Sequence, residues 1–270
     1  MAGCAQRFSV APADAVRTLP LMAPDATYVP RVRSVGLEGV LVTFGDTATD
    51  AANRAAIAFR SEIDGQDWDM VAESSSTLVS AFFRIDLSEH RFEDIAARLE
   101  DVLSRQNWGA APLPAGRALW TIPAVFGGDR APQLREAAEA AGLSEADAMQ
   151  DLTSTRLRVL TLGFAPGQPY LGTLSDAWNI PRQKQLTPNV PAGALVAAVR
   201  QICLFAKDTP TGWLHVGQSA FACFRPSGDT PFPLAPGDEV QFADISAREL
   251  ARIEAKVTDG TGGATRTVLE

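Results

Sequence analysis

Apolar positions recur at two different periods along this chain, and the change of period divides it. Between residues 50 and 63 the side chains of Ala55, Ala56, Ile57 and Phe59 fall on one helical face. From 91 to 105, Phe92, Ile95, Ala96, Leu99, Val102 and Leu103 recur at spacings of three and four. Both stretches predict amphipathic helices, the second with Ser88 as its N-cap. Around them, residues 35–44 read as one strand ended by Gly45-Asp46, and residues 70–83 as two short strands about a turn at Ser74-Ser75-Ser76. The order strand, helix, strand, strand, helix predicts a small α+β unit with both helices on one face of its sheet.

After residues 109–116, rich in Pro, Gly and Ala, the pattern changes. Residues 119–126 predict a strand ending in Gly127-Gly128. A helix follows with Pro132 in its first turn, Leu134, Ala137, Ala138 and Ala141 inward, and Gly142 as its stop. Ser144 with Asp147 forms a capping-box-like start to a second helix. Short strands punctuated by turns are then expected at 158–163, 194–200, 202–205, 214–216, 221–224 and 239–242, with 250–257 closing the sheet. That density predicts a β-barrel or sandwich. The expected organisation is an N-terminal arm over 1–30, an α+β domain over 31–108, a linker over 109–116 and a β-barrel domain over 117–270.

A length of 270 residues allows two cores. With 46% hydrophobic and 21% charged residues the chain reads as globular. A net charge of -8 without a basic patch argues against a nucleic-acid partner. Cys4, Cys203 and Cys223 show no metal-ligand spacing; Cys203 and Cys223 sit in apolar runs and read as small buried hydrophobes in a reducing compartment. Arg7, Asp14 and Arg17 interrupt the first thirty residues, so no signal peptide is expected, and no apolar run reaches the ~18 residues of a membrane span. The expected location is the cytoplasm. His90 and His215 lie far apart without neighbouring Cys or paired acids, and no metal site is expected.

The residues from 162 to 224 carry the candidate chemistry. Gly163, Phe164, Ala165, Pro166, Gly167, Gln168, Pro169 and Tyr170 follow one another in an order that pre-shapes the backbone. Such a loop is either a rigid rim, offering backbone N–H groups and the Tyr170 hydroxyl to a small acidic or amide ligand, or a structural turn with Tyr170 packed on a neighbour. Gln201 both donates and accepts, which suits an amide or ureido group if it faces a cleft rather than solvent. Trp213 walls the same cleft or joins the core. His215 alternates with Leu214 and Val216 and points opposite them, to solvent or into the cleft, where it would be a general base. No Ser-His-Asp or Cys-His grouping assembles, so the catalytic residues stay unassigned. Phosphate-loop and dinucleotide patterns are absent, so any ATP chemistry calls for a partner chain.

These motifs also carry a likeness. Gly163-Phe164, Pro166-Gly167, Pro169-Tyr170-Leu171, then Pro181-Arg182, Val190-Pro191-Ala192-Gly193, Gln201 and Gly212-Trp213 with Gly217 resemble the allophanate hydrolase subunit 1 family. That family takes in the B component of bacterial 5-oxoprolinase, a sporulation-kinase inhibitor of bacilli and carboxyltransferase subdomains of urea carboxylase. In the N-terminal half the likeness rests on Gly39, Phe44-Gly45-Asp46 and Asn53-Arg54. It implies an α+β fold: a small α/β N-terminal domain and a cyclophilin-like β-barrel. It further implies ATP-dependent amide or lactam hydrolysis, or carboxyl transfer, with a second cyclophilin-like subunit and, in the 5-oxoprolinase system, a third. The chain alone would be inactive and hold no cofactor, ATP being used by the assembled complex. The alternative the family offers is a non-catalytic regulator resembling the histidine-kinase inhibitor. Where the family pattern has Tyr-Arg before the second strand of the N-terminal hairpin, this chain has Ser74-Ser75, and where it has a His and two further Arg, Leu152, Thr187 and Gln218; Gln168 replaces a Phe, and residues 200–206 replace a Gly-Gln-Thr-Gly segment. Fewer cationic donors imply a ligand less anionic than the relatives take.

Overall fold

The computed structural model describes residues 29–256 and 258–269. Cys4 and the arm expected over 1–30 lie outside them, apart from Val29 and Pro30. The first sheet is antiparallel, in the order β1-β2-β4-β3, with β1 at Arg31–Val35, β2 at Gly39–Thr43, β3 at Glu73–Ser76 and β4 at Ser80–Arg84. Two helices cover one face, α1 at Asp50–Gly65 and α2 at Phe92–Ser104. Thr49 caps α1, its hydroxyl accepting from the Ala52 N–H at 3.1 Å. Alternate strand residues Val40, Val42, Ala81 and Phe83 are buried with Phe59, Ile63, Ile95 and Leu99 from the helices. The Phe59 ring meets those of Phe44, Phe83 and Trp108 at centroid distances of 5.4, 6.1 and 5.0 Å. Trp108 and Ala111 belong to this core, which therefore reaches into the segment expected as a linker over 109–116.

Three expectations for this half are corrected. Residues 35–44 are not one strand; Gly36, at φ +60°, turns the chain so that β1 and β2 form a hairpin. The serines are not the turn but lie in β3 itself, and the turn falls at 77–79, where the Thr77 N–H donates to the Ser80 carbonyl at 2.8 Å. Ser88 does not cap α2; its hydroxyl bonds the Asp86 carboxylate at 2.6 Å, and Arg91 stands at the N-cap without a side-chain bond.

The second half opens with β5, Ala118–Phe126, followed by α3 at Leu134–Ala141 and α4 at Glu145–Ser154. Gly142 ends α3 in the left-handed conformation, and the Ser144 hydroxyl caps α4 by accepting from the Asp147 N–H at 3.1 Å. Pro132 precedes α3 rather than lying in its first turn. The remaining strands are β6 Leu157–Leu162, β7 Pro169–Gly172, β8 Thr187–Val190, β9 Ala194–Ala198, β10 Gln201–Leu204, β11 Thr209–Thr211, β12 Leu214–Gln218, β13 Glu239–Asp244 and β14 Thr265–Val268. Seven strands close into a barrel in the order β12-β9-β10-β7-β6-β13-β5, because Phe126 and Val125 of β5 pair back with Gly217 and Gln218 of β12. The rest of the same β5 edge takes β14, while its other edge runs parallel to β13. The barrel is filled by Ile122, Val159, Leu171, Leu195, Ile202, Leu204, Val216 and Phe242. The α+β class with a closed barrel is therefore the fold of this chain.

Two further expectations fail here. Residues 221–224 form no strand, although Phe221 and Cys223 are buried against the barrel. The segment from 250 does not close the sheet; it lies in α5, Ala247–Lys256, whose start is capped by the Ser246 hydroxyl accepting from the Glu249 N–H at 3.1 Å.

Candidate functional site

Strand alternation turns every second residue of β7, β9 and β10 away from the barrel interior. Leu171 and Ile202 point inward, so Tyr170 and Gly172 face outward beside their register partners Cys203 and Gln201. Val196, Ala198, Cys203, Phe205 and Trp213 form a smaller core on this outer wall, with Tyr170 packed against it and Val190 of the β8–β11 ribbon buried in it.

Toward the ribbon the wall is filled. The rings of Tyr170 and Trp213 meet edge to face, centroids 6.1 Å apart, and the Arg182 guanidinium lies 5.2 Å over the Trp213 ring. Trp213, open in sequence to a cleft or a core role, is 6% exposed and lies in the outer core. Gln133 and Gln183 tie its segment down: Gln183 Nε2 donates to the Trp213 carbonyl at 3.2 Å, Gln133 Nε2 donates to Gln183 Oε1 at 3.2 Å, and Gln133 Oε1 accepts from the His215 N–H at 3.0 Å. His215 points neither to solvent nor to an open cleft; it is 6% exposed and its Nε2 has no hydrogen-bond partner. Burial holds its imidazole below the ordinary value, against a smaller opposing pull from the Gly217 backbone and the Gln218 side chain, so the ring is neutral. Burial likewise raises the Tyr170 phenol, with the Cys203 sulfur adding to it, and the thiols of Cys203 and Cys223 rise for the same first reason, Cys223 to about 12. Both cysteines are free and buried, as the apolar runs predict, and neither is a thiolate nucleophile at neutral pH.

The loop before β7 is a closed turn. The Gly163 N–H donates to the Gln168 carbonyl at 3.0 Å and the Gln168 N–H to the Ala165 carbonyl at 3.1 Å. Gly167 sits at φ +70°, and a Cβ there would lie 2.1 Å from the Cys223 carbonyl oxygen, so only glycine fits. Pro169 is buried, and Gln168 is 1% exposed with its Oε1 accepting from the Ala206 N–H at 3.2 Å. Pro166 is exposed, and Phe164, at φ +70°, is 73% exposed at the loop tip. The turn thus sends one aromatic ring outward while Tyr170 stays half-buried on the wall.

Toward the N-terminal unit the same wall is not filled. Gln201, half-buried, lines a cavity of about 50 Å³ together with Thr49, Asp50 and Asn53 of the other unit and Leu160 and Thr173 of the barrel. Gly172 pairs with Gln201, and a Cβ on it would come within 2.7 Å of Leu160 Cδ1. Asn53 is 3% exposed; its Nδ2 donates to the Leu160 carbonyl at 2.9 Å and to the Leu78 carbonyl at 3.4 Å. Asp50 receives Arg158 across the junction at 2.6 Å and Arg54 within α1 at 3.4 Å. Burial alone would raise the Asp50 carboxyl, but the Arg158 hydrogen bond and charge, then Arg54, outweigh it and hold the group below its usual value.

The structure therefore brings Tyr170, Trp213 and Gln201 onto one wall, sets Gln201 in a cavity, and leaves Phe164 and Pro166 at an outer rim. In sequence Asn53 stands out only through the family likeness, and nothing there gives a role to Thr49 or Asp50. The available signal is an amide among the alanines of a buried helical face, Ala52, Asn53, Ala55 and Ala56. Of the positions where the family pattern has His or Arg, Leu152 lies in the barrel core, Thr187 starts β8, and Gln218 Nε2 donates to the carbonyls of Ala192 and Ser219 at 2.8 and 3.1 Å. Among the described residues no group of three or more His, Cys, Asp or Glu is placed to hold a metal ion, and no helix is long and apolar enough to cross a membrane.

Residues 30–234 match the family described as carboxyltransferase domain, subdomain C and D. The B subunit of 5-oxoprolinase from Bacillus subtilis (strain 168) is 29% identical over 226 residues, covering 81% of this chain and 94% of that protein. The B subunit of 5-oxoprolinase from Escherichia coli O157:H7 is 38% identical over 121 residues, which is 45% of this chain and 56% of that protein. The crystal structure of the K. lactis urea amidolyase shares the fold at a TM-score of 0.67 and 17% identity, over 94% of this chain and 17% of that one.

Proposed function

The chain belongs to the carboxyltransferase domain family of subdomains C and D, and from that premise we propose that it is the B-type subunit of an oxoprolinase- or carboxylase-type complex. In that complex its barrel wall binds and orients a small amide or lactam. The observation that carries this reading is the pairing of β7 with β10, which sets the Tyr170 phenol and the Gln201 amide on one outward face, both half-buried. With the Tyr170 pKa raised, its hydroxyl is a hydrogen-bond donor at neutral pH, and Gln201 both donates and accepts. His215 is neutral and both thiols are protonated here, and the Arg182 guanidinium over Trp213 adds a donor for the carbonyl oxygen of an amide or lactam.

The loop residues Gly163, Gly167, Gln168 and Pro169 hold Tyr170 in place, and Trp213 backs its ring. The nucleophile and the ATP chemistry come from a partner subunit. Phe164, Phe224 and Phe232, 73%, 37% and 51% exposed, with the last two rings stacked at 5.1 Å, give that partner an apolar rim to cover. Co-expression with the second subunit tests the proposal. The two chains should co-elute, and ATP-dependent opening of 5-oxoproline or carboxylation of urea should need both. Turnover by this chain alone, or a chain that never co-elutes, would overturn it. Co-elution with a histidine kinase instead would select the regulatory reading.

A further inference from the structure

Among the described residues four that are not glycine have positive φ, and two of these are neighbours, Val199 at +46° and Arg200 at +63°. They make up the turn between β9 and β10, because Ala198 and Gln201 on either side of them are register partners. A two-residue hairpin turn with φ > 0 at both positions is ordinarily built from Asn, Asp or Gly. A Cβ is unfavourable in that region, and the branched side chain of Val199 more so. Local preference does not hold this turn, so the surroundings must.

The surroundings are the segment from Leu174 to Ile180. The Val199 N–H donates to the Ile180 carbonyl at 2.8 Å, the Arg200 N–H to the Trp178 carbonyl at 2.8 Å, and the Leu174 N–H to the Arg200 carbonyl at 2.9 Å. Leu174, Trp178 and Ile180 are in turn anchored in the barrel core. The Arg200 side chain folds back onto the same segment. Its Nε donates to the Leu174 carbonyl at 2.9 Å, so both main-chain groups of Leu174 bond Arg200, and its guanidinium pairs with Asp176 at 2.7 Å. The Asp176 carboxylate is exposed, and that pair adds little alone; the bond to the Leu174 carbonyl is the stronger hold.

Gln201 follows the turn directly. Its side-chain amide has no hydrogen-bond partner among the described residues, and its Cγ lies against Gly172, 3.6 Å from where a Cβ would stand. The direction of that amide is therefore set by the main chain leading into it. We infer that Arg200 is a positioning residue: by strapping the left-handed turn to Leu174 it fixes Gln201 on the barrel wall. The inference rests on the ligand-binding role of Gln201 proposed above, and it makes that role depend on a side chain turned toward another part of the barrel.

Two variants separate the strap from the strain. Arg200→Ala removes both side-chain bonds and leaves a Cβ in the left-handed region, whereas Arg200→Gly removes the same bonds and the strain with them. In the isolated, ¹⁵N-labelled full chain, Arg200→Ala should lower the amide-exchange protection of Val199 and Leu174 about tenfold while Val159 in β6 stays within about twofold. It should also weaken the NOE between Gln201 Hγ and Gly172 Hα, and Arg200→Gly should keep both protection and NOE. Protection lost equally at Val159 would make the effect a general loss of stability, and unchanged protection and NOE in Arg200→Ala would mean that the turn needs no strap. Equal losses in the Ala and Gly variants would mean that Arg200 does not restrain the strain. Each of these three results overturns the inference. In the two-subunit complex with 5-oxoproline as substrate, Arg200→Ala should raise KM about fivefold with kcat within about twofold, and in a Gln201→Ala background should raise it no further. Additive effects would break the link to Gln201 and overturn the inference. An unmodified complex that does not turn over 5-oxoproline would count against the proposed function alone, because the comparison in the isolated chain decides the role of Arg200 without it.

Discussion

Tyr170 and Gly172 stand two residues apart on one strand and face the same way, yet their surroundings differ. Beside Tyr170 the wall is packed: its ring lies against Trp213, the Cys203 thiol is buried, and Val190 of the ribbon joins them, while Tyr170 itself stays half-buried. Beside Gly172 the Leu160 side chain leans into the place a Cβ would take, and Leu160 and Gln201 go on to line the cavity at the junction with Asn53. A strand that is uniform in its backbone thus presents an aromatic ring at one position and makes room for a neighbour's side chain at the next outward one. What separates the two is the presence of an aromatic side chain and a cover at the first, and a glycine under a helix end at the second.

If the filled end is a true core, removing its largest side chain should have the greatest effect. Trp213→Ala should lower stability by about 3 kcal/mol in denaturant unfolding, within the range for buried aromatic truncation. A loss below about 1 kcal/mol would mean that the outer wall is only loosely packed. At the second position, Gly172→Ala presses on the flexible tip of Leu160 rather than on backbone and should destabilise by only about 1 kcal/mol in the same measurement. A loss as large as that of Trp213→Ala would show that the two positions differ less than their surroundings suggest.

The smallest effect concerns protons. The imidazole of His215 has a lowered pKa in the folded state, so the unfolded chain binds the extra proton first, and stability should be full above the unfolded value of about 6.5 and decline as pH falls below it. Melting temperatures between pH 7.5 and 5.5 should fall in the unmodified protein and fall less in His215→Gln. Parallel curves for the two would mean that His215 is not held neutral by its surroundings.

The helices α1 and α2 are legible in sequence because their apolar spacing is local, and α3 and α4 because Gly142 and Ser144 mark their ends. Where polar strands depend on distant partners, the pattern misleads. β8 and β11 read Thr-Pro-Asn-Val and Thr-Pro-Thr, which looks like loop until each supplies the other's pairing. The segment expected as a strand from 250 has a near-alternating apolar pattern, but it is built largely of Ala, Arg, Glu and Lys, and up to Lys256 helix propensity with the Ser246 cap prevails. In the site, the motif around Tyr170 marks the wall, since its glycines and prolines are visible in sequence. Asn53 is not legible as a site residue, because its partner carbonyl belongs to Leu160, 107 positions away.

Beside the Arg158–Asp50 ion pair, the seam between the two units is written in main-chain coordinates. The Asn53 amide reads the carbonyl of Leu160, and the Thr161 hydroxyl reads the carbonyl of Ser76 at 2.9 Å, so both contacts join a side chain to a peptide oxygen. At these two contacts the accepting residue's side chain is not inspected. The register shift in β6 between Val159 and Thr161 sets Leu160 off the ladder with β7 and frees its carbonyl for Asn53. The two units therefore find part of their alignment from a kink in a strand, as a key finds a notch, and a substitution at 76 or 160 leaves the carbonyl that is read in place as long as the kink is kept.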